Sequence, residues 1–584
     1  MTDVESQHQK PVKSAMFNLK NDQYDFYYLL GFVFILFAVA PLFYQPNFGG
    51  RGLDLTFNMA TWAVSSVFIV FSVLLMTARK VIKLPQRYLY FVAVPVVIIL
   101  SSLITGVSQP ATFLFRELYV LAGLLFLFAL FQFSLYKYQV EWVLLMIVLS
   151  TLTHSVIGLI QILEPELLGQ WYASNNTVVP HGVFQQINTQ VSFLATGIAI
   201  GMYLLSRPMA KQLPWLVSGL LILSLGLNSF EIVFSGSRVG LLGFILSLVL
   251  LAVFRFKQLV SNRRLVILAI IAMSVGIFSG KSGLERSLDQ TVNITQGMSS
   301  DIRINMYLIG LELVAQKPLH GHGIGNFLRV WNQQTGDYHA RHPEAILLPY
   351  IEHPHNELLF WIIEGGFLII IGILAAIVAV VLALVRCGKQ RSAGYVAMLL
   401  PITLHTQVEL PFYISSLHWF AWLLLIFIVM RHQVMTKKLL LSVAANRLLQ
   451  LSSVLALIGS LYFLHHSSRA QIDITRYLTN QSSKTPYLSI ALNNYYFRYY
   501  AEELAMRSML YTGLSTNDED LINRYIPWST NRISIRPELK LFEDLIEAHI
   551  HLKDDRSKCN VIRLGVSMYP QNKSLTKLNQ SCHY

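Results

Sequence analysis

The 584-residue chain is 54% hydrophobic and only 13% charged, with a formal charge of +13, which excludes an ordinary soluble enzyme. That basic excess does not indicate a nucleic-acid partner, because Lys and Arg fall mainly in short connections between apolar runs, the pattern of membrane topology. Three cysteines are too few for a disulfide framework.

In chain order, residues 1–26 are polar and form an N-terminal segment. The apolar run that follows lacks a small-residue cleavage site, so it is expected to stay in place as the first span. About 20 mostly apolar residues cross a ~30 Å hydrocarbon core as a helix that satisfies its own backbone. Thirteen stretches meet that requirement approximately: 27–44, 59–77, 88–104, 117–136, 142–163, 189–206, 214–233, 239–254, 265–280, 358–385, 393–410, 414–430 and 448–465. The expected fold is therefore all-α, a polytopic membrane protein of about 13 transmembrane helices.

Alternate connections divide sharply in charge. One set holds Arg79, Lys80, Lys83, Arg87, Lys137, Arg207, Lys211, Arg255, Lys257, Arg263, Arg264, Arg386, Lys389, Arg391, Arg431, Lys437, Lys438 and Arg447, whereas the short loops of the other hold little beyond Arg51, Arg116 and Arg238. Positive charge near span ends favours the cytoplasm, so the N-terminus is expected inside. An odd span count then puts the connection 281–357 and everything after residue 465 outside. Cys559 and Cys582 would share that oxidising side and be able to pair, with Cys387 remaining reduced.

The outer loop before the sixth span reads Pro180-His181-Gly182-Val183-Phe184-Gln185-Gln186-Ile187-Asn188. Gln186 and Asn188 either cap the helix or offer paired donors and acceptors to sugar hydroxyls. Glu231, inside the seventh span, calls for a partner, and an arginine is the natural expectation. Ser235-Gly236-Ser237-Arg238-Val239-Gly240 puts Arg238 at an outer span end, and Arg303 opens a helical run in the next outer loop. Both arginines are either interfacial or bind a phosphate group, since a guanidinium is permanently charged and bidentate.

The connection 281–357, 77 residues long, exceeds what joining two spans requires, and it is the expected active site. His320 and His322, in His-Gly-His-Gly, read as turn residues. The loop re-enters the membrane through His353-Pro354-His355-Asn356-Glu357-Leu358-Leu359, where an imidazole with an unperturbed pKa of ~6.5 can act as a base near neutrality. Asn356 or a backbone carbonyl would fix its tautomer. A metal at His353, His355 and Glu357 is the weaker alternative, because the spacing lacks the His-Glu-x-x-His pattern and the loop has no cysteine. Residues 466–584 form the expected soluble domain, helical over Ile490 to Leu510 and compatible with tetratricopeptide-like helix pairs.

Taken in order, Ser-Gly-Ser-Arg at 235–238, Arg303 onward to Pro318-Leu-His-Gly-His-Gly-Ile-Gly-Asn326, and His353-Pro-His-Asn-Glu-Leu-Leu359 ending in Glu364-Gly-Gly366 resemble the O-antigen ligase and polymerase superfamily. The Gln186-x-Asn188 element and the C-terminal domain resemble, within it, the bacterial protein O-oligosaccharyltransferases of PglL type. The resemblance implies an undecaprenyl-pyrophosphate-linked glycan as donor and a serine or threonine of a periplasmic protein such as a pilin as acceptor, at the Gram-negative inner membrane, without metal or other cofactor. It assigns the catalytic base to His355, diphosphate binding to Arg238 and Arg303, and a glutamine role to Gln186. Asn188, His353, Asn356 and Tyr413 are further candidates for sugar or acceptor binding. Where many members carry Glu-Tyr-Pro, this chain has Glu409-Leu410-Pro411 followed by Tyr413, so Tyr413 is only a replacement candidate. An O-antigen ligase acting on lipid A core, an O-antigen polymerase and, more distantly, a glycolipid transporter are the alternatives; a transporter would carry its polar site near the bilayer midplane.

Overall fold

A computed structural model describes residues 24–168, 179–286, 300–347, 351–481 and 486–582. Most of the polar N-terminal segment lies outside the described residues. The fold is all-α, with nine helices long and apolar enough to cross a membrane among the described residues: Tyr24–Leu42, Thr56–Arg79, Pro110–Phe131, Tyr138–Leu163, Ile187–Leu205, Trp215–Ser235, Arg238–Ser261, Glu357–Cys387 and Val443–Leu478. At the four other expected spans stand shorter helices, Leu89–Thr105, Arg263–Ser279, Lys389–His405 and Ser416–Met430.

Ile187–Leu205 is the hub of the bundle. From Thr189 to Leu205 every residue is buried, because glycines let neighbouring helices approach: Gly197 lies against Thr151, and Gly201 against Leu221 and Leu225. Small residues at helix contacts are how packing supplies cohesion where lipid removes the hydrophobic drive. On the basic face, strand Val81–Pro85 pairs antiparallel with Val434–Lys438 and ties together two connections far apart in sequence.

Glu357–Cys387 is broken at Gly366, whose φ of +66° suits glycine. The break frees backbone groups, and the His320-Gly321-His322-Gly323 turn inserts to satisfy them. His322 N–H donates to Ile363 O at 2.9 Å, Gly323 N–H to Glu364 O at 2.8 Å, and Phe367 N–H to Pro318 O at 2.8 Å. His322 is a structural histidine, its Nε2 lying 2.8 Å from Leu313 O, in agreement with its reading as a turn residue.

The C-terminal region departs from its expected limits. Val443–Leu478 runs unbroken for 36 residues, so the division at 465/466 falls inside one helix. The helix expected over 490–510 begins only at Arg498 and runs to Thr516, after turns in which Asp473 accepts the N–H groups of Leu488, Ile490 and Ala491. Arg498–Thr516, Glu519–Ile535, Leu539–His551, Asp555–Met568 and Lys573–Gln580 then pack successively on one another. Asp518, Asp554 and Asn572 cap three of them at their N-termini, as short polar side chains do. Cys559 and Cys582 are disulfide-bonded, with Cα atoms 5.6 Å apart, and Cys387 is free.

This domain rests on the large loop. Asn332 Nδ2 donates to Pro537 O at 3.0 Å and Tyr569 Oη at 2.8 Å, and Gln571 Nε2 donates to Ala345 O at 2.7 Å. It also touches the connection that precedes Thr56–Arg79, where Tyr496 Oη donates to Arg51 O at 3.3 Å.

Candidate active site

The chain re-enters the membrane domain at a sharply specified turn. Asn356 is the N-cap of Glu357–Cys387, its Oδ1 accepting Leu359 N–H at 2.9 Å, and its Nδ2 donates to Gln407 O at 3.0 Å. Glu357 N–H donates to Thr406 O at 2.9 Å. These bonds align residues 353–357 with 406–409 and bring two side chains together: His355 Nδ1 lies 3.0 Å from Glu409 Oε1. Asn356 is occupied as a cap, so the carboxylate of Glu409, and not the expected asparagine or backbone carbonyl, orients the imidazole.

His355 adopts φ +47°, an uncommon conformation for a non-glycine residue that surrounding structure must hold in place. Its N–H donates to His353 Nδ1 at 3.3 Å, and the two rings sit 4.6 Å apart edge to face. Burial pushes the His353 imidazole down to about 4, and the adjacent His355 adds to this. His353 is thus neutral near pH 7 and supports the turn. Burial alone would raise the Glu409 carboxyl, but the His355 hydrogen bond and the neighbouring imidazoles hold it below its ordinary value. A neutral imidazole with Nδ1–H on a carboxylate leaves Nε2 as a proton acceptor.

His353, His355 and Glu409 offer ligand atoms within 4.8 Å of one another. Two of these groups are already joined as a donor and acceptor pair, and the expected third ligand, Glu357, is absent from the group. The arrangement fits a proton-transferring pair as it stands.

Beside the histidines, arginines that were not expected in the site surround the candidate Tyr413. Arg51, from the connection that precedes Thr56–Arg79, pairs with Glu352 at 2.7 Å, and its guanidinium carbon stands 4.6 Å from the Tyr413 ring centre. Arg116 pairs with Glu364 and stands 5.5 Å from the same ring. Burial raises the Tyr413 phenol, but the Arg51 and Arg116 charges outweigh it and hold the phenol below its ordinary value. Arg536, from the C-terminal domain, reaches Glu352 at 3.7 Å. Arg51 and Arg116 did carry a sequence signal, as two of the three arginines in the short connections that otherwise lack basic residues. Arg536 carried none, since basic residues are ordinary in a solvated domain.

Of the remaining expected residues, Gln186, Asn188 and Arg238 form a second group at the start of the hub helix, apart from Arg303. Gln186 caps Ile187–Leu205, accepting Thr189 N–H at 2.9 Å, so the capping reading describes its Oε1. Asn188 Oδ1 accepts Ser237 Oγ at 2.8 Å, which joins that loop to the one carrying Arg238. Arg238 and Arg303 are both exposed, and neither contacts His355. One turn beyond Asn188, Ser192 Oγ lies 2.8 Å from His405 Nδ1, and His405 O accepts Glu409 N–H at 3.0 Å; the two groups are linked through the hub helix. Arg303 lies in the first turn of Ser300–Gln316, which packs through Gly310 on Leu359, just beyond the re-entry turn. Glu231 does not pair with an arginine; Gln190 Nε2 donates to its Oε2 at 3.0 Å, because the hub helix brings an amide there.

Residues 221–374 match the O-antigen ligase family model, and residues 395–581 match the model for the virulence factor membrane-bound polymerase C-terminal region. The first match contains Arg238, Arg303, His355 and Glu364; the second contains Glu409, Tyr413 and the C-terminal helices. Both matches support a relationship to the O-antigen ligase and polymerase superfamily. They support a membrane enzyme of glycosyl transfer. A comparison with curated proteins finds no match.

Proposed function

We propose that this protein transfers an oligosaccharide en bloc from an undecaprenyl-pyrophosphate carrier to a serine or threonine hydroxyl of a periplasmic acceptor protein such as a pilin, at the Gram-negative inner membrane. The observation that carries the reading is the His355–Glu409 pair at the membrane re-entry turn. His355 Nε2 takes the acceptor hydroxyl proton as its oxygen bonds to the anomeric carbon. The bond from that carbon to the diphosphate oxygen breaks, and the lipid diphosphate leaves with the electron pair. A single displacement inverts the anomeric centre. Arg238 and Arg303 bind the diphosphate as the resemblance implies, and Arg51 and Arg116 keep the surroundings of Tyr413 electropositive, which favours the charge developing on the leaving group. No step needs a metal.

Protein as the acceptor is supported by the C-terminal domain, which rests on the large loop and reaches Glu352 through Arg536. The match to a polymerase C-terminal region favours a second reading, extension of the lipid-linked glycan. Intact-mass analysis of candidate pilins from strains with and without the gene separates the two. A glycan mass on a serine or threonine peptide that vanishes with the gene is the expected result; altered glycan length on lipid alone would replace protein transfer by polymerisation.

A further inference from the structure

At the end of Glu357–Cys387 opposite the histidine turn lies a cavity of about 310 Å³ lined by Gln86, Ala383, Arg386, Cys387, Arg391, His432 and Gln433. Two guanidinium groups, an imidazole and two amides face it, and no carboxylate lines it. The site is built by tertiary contacts. Gln86 N–H donates to Gln433 O at 3.3 Å beyond the paired strands, Arg386 donates to Gln86 Oε1 at 3.3 Å, and Arg87 donates to Gln433 Oε1 at 3.1 Å. Arg391 has no carboxylate partner among the described residues. Such a donor-rich, acid-free lining suits a phosphate group, which guanidinium binds through paired N–H bonds.

The helix that leads to the cavity distinguishes a lipid phosphate from a free one. Leu374, Ile377, Val378, Val381, Leu382 and Val385 are all exposed, and their three- and four-residue spacing makes one apolar stripe along the helix. The stripe ends at Arg386. An amphiphile with its phosphate in the cavity would lay acyl chains along this stripe, whereas inorganic phosphate would gain nothing from it. We propose that this cavity binds the phosphate of an anionic phospholipid, with Arg386 and Arg391 as its ligands and the stripe Leu374 to Val385 receiving its chains. Basic pockets between membrane helices hold anionic headgroups by the same chemistry. The site is independent of the acceptor and of the reaction at His355.

Native mass spectrometry of the full-length protein in neutral detergent, titrated with phosphatidylglycerol or phosphatidylcholine, tests the proposal. Phosphatidylglycerol should be retained at least tenfold more tightly than phosphatidylcholine, and Arg386→Gln/Arg391→Gln should abolish the difference. Gln86→Glu, which places a carboxylate in the cavity and leaves both arginines, should weaken anionic-lipid retention similarly and provides the second variant if the double one does not fold. Equal retention of the two lipids, or undiminished preference in well-folded variants, would overturn the site. Displacement of phosphatidylglycerol by millimolar inorganic phosphate would overturn the lipid assignment in favour of a free-anion site.

Discussion

The proposed chemistry rests on a few side chains whose partners suggest their roles. His355, held at φ +47° with Nδ1 on Glu409, is the proposed base, and general-base assistance is typically worth ~10²–10⁴-fold. His355→Ala and His355→Asn should each lose most turnover while inserting normally; near-parental glycosylation by the Asn variant would remove the base assignment. Glu409→Gln should lower kcat at least about tenfold with the KM for donor unchanged, because Glu409 positions the imidazole without touching substrate. For His353, the folded value is depressed from 6.5 to about 4, so between those values the unfolded chain binds more protons. Its contribution to stability is complete above the unfolded value and is lost as pH falls through the window to the folded one. The melting temperature in detergent should therefore drop from pH 6.5 to 4, and His353→Asn should reduce that slope; an unchanged slope would refute the neutral, half-buried histidine. Arg238→Lys and Arg303→Lys should each weaken turnover of purified lipid-linked donor, since an ammonium cannot reproduce two-pronged phosphate binding. Full activity in both variants would make these arginines interfacial.

At the scale of elements, the site is an intersection of segments, each fixed by its own backbone logic. The re-entry turn is held against residues 406–409, and the glycine break at Gly366 is filled by the His-Gly-His-Gly turn. Glu352 then links three parts of the chain, with Arg51 at 2.7 Å on one side and Arg536 at 3.7 Å on the other. An ion pair shared in this way positions the strained turn that begins at His353. Glu352→Gln and Arg536→Ala should reduce glycosylation without dissociating the C-terminal domain, whose other contacts through Asn332 and Gln571 are untouched. Limited proteolysis measures docking separately from activity. Full activity in both variants would make the bridge ornamental, and release of the domain by Arg536→Ala would make it a docking contact.

Across the whole molecule, the proposed topology sets the histidine turn and the C-terminal domain on one membrane face and the basic connections on the other. Thiol labelling of unreduced spheroplasts checks this directly. Cys559 and Cys582, bonded to each other, should resist an impermeant maleimide until reduced, then label from outside, while Cys387 should remain protected. Ready labelling before reduction would exclude the disulfide in the cell, and protection of the tail after reduction would reverse the orientation.

The sequence by itself determined the membrane class, the all-α fold and the length of the connection that carries His355, because apolar span length and glycine spacing are local properties written along the chain. The pairing of Cys559 with Cys582 was legible as compatibility, and only their approach to 5.6 Å between Cα atoms decided it. Glu409 looked like part of a departing Glu-Leu-Pro motif, and nothing local joined it to a histidine 54 residues earlier. Likewise Arg51, Arg116 and Tyr413 meet only because the connection before Thr56–Arg79, a span and the segment after His405 converge. Glu231 received an amide instead of an arginine for the same reason. A buried ionisable group dictates that it must have a partner, but which partner arrives is set by helix packing, and that is decided only in three dimensions.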